Sequence, residues 1–128
     1  MNTDKDYIKI SKEFISILKE LSHTHSYSSK TNLFYAGQTP IVAYLLLEGF
    51  IHLTKNKKTI SILDAGTLLG FKELMNNEQV DADAYIVKDT KVCFLDKSTI
   101  YEIFAKGPNA PLYSYLKDLL QLREKSTT

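Results

Sequence analysis

The chain has 128 residues, 44% of them hydrophobic, enough for one domain whose core needs no disulfide or metal staple. Its 16 Lys and Arg against 15 Asp and Glu leave a formal net charge of +1, which excludes a general polyanion binder. The single cysteine, Cys93, excludes an internal disulfide, and the longest apolar stretch, Ile41 to Leu47, is far shorter than the ~20 residues of a membrane span. Met1 to Lys12 alternates charged and apolar residues and lacks the hydrophobic run of a signal peptide. These features lead us to expect one domain over residues 1–128, cytoplasmic, with no membrane partner.

From Tyr7 to Leu21, the residues Ile8, Ile10, Phe14, Ile15, Ile17, Leu18 and Leu21 recur every three or four positions, predicting one amphipathic helix. The polar run Ser22 to Asn32 breaks that period and reads as a loop. Six short segments rich in β-branched and aromatic residues follow: Leu33 to Tyr35, Ile41 to Leu47, Phe50 to Thr54, Thr59 to Leu63, Ala82 to Val87 and Lys91 to Leu95. Their spacing predicts an antiparallel sandwich or barrel. Lys55-Asn56-Lys57-Lys58 reads as a hairpin tip whose lysines are solvated, with docking of an acidic partner as the functional alternative.

Past the strands, Lys97 to Phe104 has helical spacing with Asp96 or Ser98 as its cap, and Gly107-Pro108 ends it. Pro111 suits a first helical turn, and Leu112, Tyr115, Leu116, Leu119, Leu120 and Leu122 carry a second amphipathic helix to about Lys125. Its wide Leu-rich stripe fits either its own sandwich or the same helix of a second chain. Leu112, Tyr113, Tyr115, Leu116, Leu119, Leu120 and Arg123 are the candidate interface residues. Gly49, between two strand-like runs, reads as a turn needing positive φ; Gly70 reads as a turn or as close approach of backbone to a neighbour or ligand.

Other chemistry-bearing residues point to no enzyme. His23-Thr24-His25 offers two imidazoles at alternate positions, and His52 is the only other one, too few for a metal site without a carboxylate or thiol cluster. Cys93 lies between Val92 and Phe94 with no basic neighbour in sequence and reads as an inert buried thiol. No Arg-rich face or recognition helix is visible.

The order of these pieces carries a resemblance. Phe34-Tyr35-Ala36-Gly37-Gln38, Ala43-Tyr44-Leu45-Leu46-Leu47-Glu48-Gly49-Phe50-Ile51 and Asp64-Ala65-Gly66-Thr67-Leu68-Leu69-Gly70, followed by Ala82 and Val92 to Leu95, are similar in order and spacing to the cyclic nucleotide-binding domain family. Gln38 stands where that family usually has an acid. The resemblance implies a mainly β fold, a double-stranded β-helix (jelly roll) of about eight short antiparallel strands over about residues 31–96. An N-terminal helix at about 7–21 and C-terminal helices at about 97–104 and 111–125 would flank it.

The family's ligand-binding members resemble Gly-Glu-(apolar)-Ala followed by Arg-(Ser/Thr)-Ala. There the Arg pairs the cyclic phosphate through its planar fork, and the Glu holds the ribose hydroxyl. Here the matching positions read Gly70-Phe71-Lys72-Glu73-Leu74 and Val80-Asp81-Ala82, so Phe71 replaces the Glu and Val80 the Arg. The chain's one arginine is Arg123, on the last helix. Asp81 and Asp83 would repel a phosphate.

The resemblance therefore implies a degenerate pocket formed by Leu69, Gly70, Phe71, Lys72, Glu73, Leu74, Val80, Asp81 and Ala82. The expected function is a non-enzymatic regulatory or protein-interaction module, a homodimer or partner of another protein, with no cofactor or metal. It is not expected to bind cyclic AMP in the usual way. The alternative is a sensor for a cyclic nucleotide or other small anion through a cassette rebuilt on Lys72 and Glu73, with Glu73 at the ribose and Lys72 or Lys88 meeting the phosphate. A small cupin-like enzyme rests on barrel topology alone. No helix-turn-helix follows the last helix, so no nucleic-acid partner is expected.

Overall fold

In the strand β4 (Val42–Glu48), Ala43 and Leu45 point to one side and Tyr44 and Leu46 to the other, and only Tyr44 of the four is partly exposed. A strand apolar on both faces needs a core on each side, and the computed structural model, which describes residues 7–106 and 113–118, supplies two. On one face Leu18, Leu45, Leu68, Cys93, Leu95, Ile100 and Leu116 pack under helices. On the other, Phe34, Leu46, Ile51, Leu69, Ala84, Ile86 and Val92 fill the space between two sheets.

The larger sheet has five strands in the order β1-β7-β4-β9-β2: β1 (Tyr7–Lys9), β7 (Thr67–Leu69), β4, β9 (Thr90–Asp96) and β2 (His23–Tyr27). The smaller has four in the order β3-β8-β5-β6: β3 (Thr31–Phe34), β8 (Asp83–Ile86), β5 (Ile51–Lys55) and β6 (Lys58–Leu63). All pairings are antiparallel. The fold is mainly β, a jelly roll with flanking helices, and the described residues form nine strands where about eight were expected.

The extra strands lie in segments where the sequence predicts helix and loop. Tyr7 to Lys9 is the strand β1, not the start of a helix: Tyr7, Ile8 and Lys9 pair with Leu69, Leu68 and Thr67. The helix α1 begins only at Lys12 and runs to Leu21. The predicted loop Ser22 to Asn32 contains all of β2, paired with β9 from His23↔Phe94 to Tyr27↔Thr90, and the start of β3. Four of the five β2 residues are exposed, so its composition carries no apolar alternation. Tertiary pairing to a strand already in place overrides local pattern in both cases.

β3, β4, β5, β6, β8 and β9 fall within one or two residues of the six predicted segments, whereas β7 lies in the Gly66–Gly70 stretch that the sequence did not mark as a strand. Helix α3 (Lys97–Ala105) is capped by Asp96, whose side chain accepts a hydrogen bond from the Thr99 amide; Asp96, rather than Ser98, is the cap. Residues 113–118 are helical, whereas Gly107-Pro108 and the ends of the predicted 111–125 helix lie outside the described residues. No described helix is long and apolar enough to cross a membrane.

Candidate functional site

Strand β7 delivers the chain to the candidate site. Leu69 is fully buried between the sheets, and Gly70 then takes φ +79 to turn into α2 (Phe71–Asn76) as its N-cap. A Cβ at Gly70 would meet Phe34 Cε2 at 3.6 Å and Pro40 Cγ at 3.8 Å, both ordinary contacts. Positive φ, not crowding, is therefore what calls for glycine here. At Gly49 both apply: φ is +88 and a Cβ would sit 2.6 Å from Thr90 Oγ1.

On α2 the residues alternate between core and surface as a single turn and a half of helix requires. Phe71 and Leu74 are buried in the helix-side core with Ile100, Ile103 and Leu116. Lys72, its side chain 12% exposed, forms an ion pair with Glu78 at 3.1 Å. Glu73 is buried at 4% exposure, and its backbone carbonyl accepts from the amides of Asn77 and Glu78 as the helix closes.

The second half of the cassette is held by a turn at 35–38. The Val80 amide donates to the Gln38 carbonyl at 2.8 Å, and the Gly37 amide donates to the Val80 carbonyl at 2.9 Å. The Val80 side chain, 2% exposed, points into the core between the sheets with Phe34, Ala82 and Ala84. Gln38 Oε1 accepts the Tyr35 amide at 2.8 Å, the acceptor task that needs an oxygen but no charge. Asp83 accepts the Ala36 amide at 2.7 Å, and Asp81 pairs with Lys55 of β5 at 2.9 Å. Both carboxylates beside Val80 are thus engaged, and Lys55 serves the cassette while Lys57 and Lys58 remain at the hairpin tip.

Two cavities lie beside this cassette. One of about 370 Å³ is lined by Leu33, Phe34, Gln38, Thr39, Pro40, Ile41, Val42 and Tyr44. Burial raises the Tyr44 hydroxyl pKa above its ordinary value, with the neighbouring Tyr27 as a second cause, and the hydroxyl donates to the Leu33 carbonyl at 3.1 Å. The other, of about 500 Å³, is lined by Leu74, Asn77, Asp96, Lys97 and Ser98 and shares Thr39, Pro40 and Ile41 with the first. Leu74 alone among the predicted site residues faces either space; Lys72, Glu73 and Val80 line neither.

A short helix entered through a glycine at positive φ, with the 35–38 turn fastening Val80 after it, thus lies between β7 and β8 of a jelly roll. The family model for the cyclic nucleotide-binding domain matches residues 24–106. The chain belongs to the cyclic nucleotide-binding domain family. Domains of this family are typically regulatory modules rather than enzymes. A search of curated proteins finds no match.

Solved structures agree on the fold. The catabolite activator protein of Thermus thermophilus is 21% identical with a TM-score of 0.69; the match covers 91% of this chain and 56% of that one, so the chain spans little more than half of that protein. A half-site-occupied form of the EAL enzyme Bd1971 is 21% identical over 82% of this chain and 98% of that one, with a TM-score of 0.65. A putative cyclic nucleotide-binding protein from Geobacter metallireducens is 17% identical, with a TM-score of 0.61 and coverage of 91% and 83%.

Within this cyclic nucleotide-binding-like domain, the nine predicted pocket residues are all in or beside the cassette, but they divide between two cores and a surface. The described interface residues also face their own chain. Tyr115 stacks on Phe14 with ring centroids 4.1 Å apart, its hydroxyl accepts the Ser11 amide at 3.0 Å, and Leu116 is 1% exposed. Tyr113 lies edge-on to Phe104. Leu112, Leu119, Leu120 and Arg123 lie outside the described residues. His23 and His25 sit on the exposed strand β2, where His25 stacks on Phe94 at 4.4 Å. Cys93 is buried, with Thr24 Oγ1 3.4 Å from its sulfur.

Sequence reasoning missed the 35–38 clamp on Val80 and both cassette ion pairs. The only local signal for the clamp is Gly37-Gln38 before Pro40, which reads as a turn without naming what the turn holds.

Proposed function

We propose that this domain is a non-enzymatic regulatory or protein-interaction module, cytoplasmic, that does not take cyclic AMP through its family's usual contacts. The observation that carries this reading is Val80. Where binding members place the phosphate's arginine, this chain has an apolar side chain buried in the inter-sheet core and a backbone already bonded on both sides to the 35–38 turn. A phosphate brought there would lose its water without gaining a bidentate cation. Phe71, at the place of the ribose-holding Glu, is likewise committed to a core.

Calorimetry and thermal shift with cyclic AMP, cyclic GMP and cyclic dinucleotides test the reading. A ligand that binds the folded state raises apparent stability by RT ln(1 + [L]/Kd), so binding at 100 times Kd would add about 2.7 kcal/mol. No shift across the panel is expected. A clear shift with cyclic AMP refutes the reading.

One observation favours the second reading, a sensor for a different nucleotide or small anion: Lys72 and Glu73 are polar groups held largely out of solvent on α2. A shift with one ligand that disappears in Lys72→Ala would assign the site to this rebuilt cassette. Self-association through the last helix would need residues other than Tyr115 and Leu116, whose side chains are engaged within their own chain.

A further inference from the structure

We propose that the cavity of about 370 Å³ beside the cassette binds a small uncharged aromatic molecule carrying a hydrogen-bond acceptor, which the side-chain amide of Gln38 holds. Its volume falls within the range of small-molecule sites, about 300–1,000 Å³. None of its lining residues is charged, so an ion seated in it would lose water and find no counter-charge. The site is separate from the cassette, since Lys72, Glu73 and Val80 do not line it.

The aromatic wall is fixed within the chain itself. The Tyr44 ring is tilted against Phe34 at 6.3 Å and lies edge-on to Phe94 at 5.4 Å, and its hydroxyl donates to the Leu33 carbonyl at 3.1 Å. Ring contacts on two sides and a tethered hydroxyl leave this side chain little freedom to lose on binding. Pro40 adds a buried, rigid surface. Ile41, which lines the same cavity, is 84% exposed, so a molecule seated against it removes apolar surface from water. Aromatic rings suit this wall because they pack offset or edge-on against Phe and Tyr.

The polar handle is Gln38. A backbone amide only donates, so the Tyr35 amide fixes the orientation of the Gln38 side chain: Oε1 accepts at 2.8 Å, and Nε2 is left as a donor without a hydrogen-bond partner among the described residues. The Gln38 backbone is held as well, its carbonyl accepting the Val80 amide. One neutral donor satisfies a carbonyl or a ring nitrogen but does not compensate the charge of a carboxylate. The larger cavity lacks this combination, for it carries Asp96 and Lys97, whose Nζ donates to Asn77.

Amide NMR spectra of the full chain, titrated with benzamide at neutral pH, test this, with benzoate and cyclohexanecarboxamide as its charged and saturated counterparts. Benzamide should give saturable shifts at Thr39, Ile41 and Tyr44 and none at Lys97 and Ser98. Benzoate should bind at least about tenfold more weakly, and cyclohexanecarboxamide more weakly than benzamide. Gln38→Glu keeps an oxygen for the Tyr35 amide and removes the donor, so it should stay folded by circular dichroism and bind benzamide about tenfold more weakly. The proposal is overturned if benzamide gives no saturable shift, if its shifts gather at Lys97 and Ser98, or if Gln38→Glu binds it unchanged. Equal binding of benzoate overturns the uncharged class, and equal binding of cyclohexanecarboxamide the aromatic one. None of these results touches the reading of the cassette, which rests on Val80 and is read with cyclic nucleotides.

Discussion

Replacing Gly49 with alanine tests whether the β4–β5 turn and the β8–β9 turn really interlock. Two costs add. The first is backbone strain: at φ +88, a side chain in the left-handed region costs about 1–2 kcal/mol. The second is overlap. The new Cβ would lie 2.6 Å from Thr90 Oγ1, 3.0 Å from Thr90 Cα and 3.1 Å from the Asp89 carbonyl oxygen. Two of these atoms are backbone, and Thr90 is buried and β-branched, so the crowding cannot be relieved by rotating a flexible tip. Forced packing of this kind costs about 1–3 kcal/mol more. Gly37 is the control, because its φ is +90 but nothing lies within 4 Å of an added Cβ. Gly37→Ala should therefore show the strain alone.

At about 4 °C per kcal/mol for a chain of this size, thermal melts should fall by about 4–8 °C for Gly37→Ala and by about 8–20 °C for Gly49→Ala. Adding Thr90→Ala to Gly49→Ala should recover only part of the loss, since the backbone contacts remain. Equal losses at the two glycines would refute the interlocked turns.

Thr90 Oγ1 is itself buried with no hydrogen-bond partner among the described residues, so Thr90→Val should leave stability unchanged or raise it by up to about 1 kcal/mol, measured by urea unfolding. The Thr99 amide holds the Asp96 carboxyl below the usual carboxylate range. A depressed carboxylate contributes stability above its unfolded pKa and loses it as pH falls through the folded value. Asp96→Ala should therefore cost about 1 kcal/mol at neutral pH and flatten the decline of stability below about pH 4. Leu116→Ala should cost about 2–5 kcal/mol in a monomer, because that side chain is 1% exposed within its own chain; a loss confined to self-association would refute that packing.

Much of the roll was legible because strands buried on one or both faces advertise themselves in β-branched and aromatic runs, and because Gly49, Gly70 and Asp96 have local duties that a neighbouring residue type cannot perform. The burial of Phe71 and Val80 was legible for the same reason, since both are apolar residues in a patterned stretch. β2 was not, since its His, Thr and Ser side chains are exposed and its strand conformation comes from pairing with β9. Nor was β1, whose Tyr7 and Ile8 fit the helical period of the residues that follow until Leu68 and Leu69 offer them a ladder.

The sequence by itself determined where the chain is apolar, where it must turn, and that its one arginine, Arg123, lies outside the cassette stretch. Only the tertiary structure decided what those groups meet: that Lys72 is engaged by Glu78 and Lys55 by Asp81, that the 35–38 turn fastens Val80 from 42 or more residues away in sequence, and that β6 is an outer strand with no described strand beyond it. The physical reason is range. Propensity, capping and positive φ are properties of a few adjacent residues, whereas ladder partners, ion pairs and exposed edges depend on which distant segments the fold brings together.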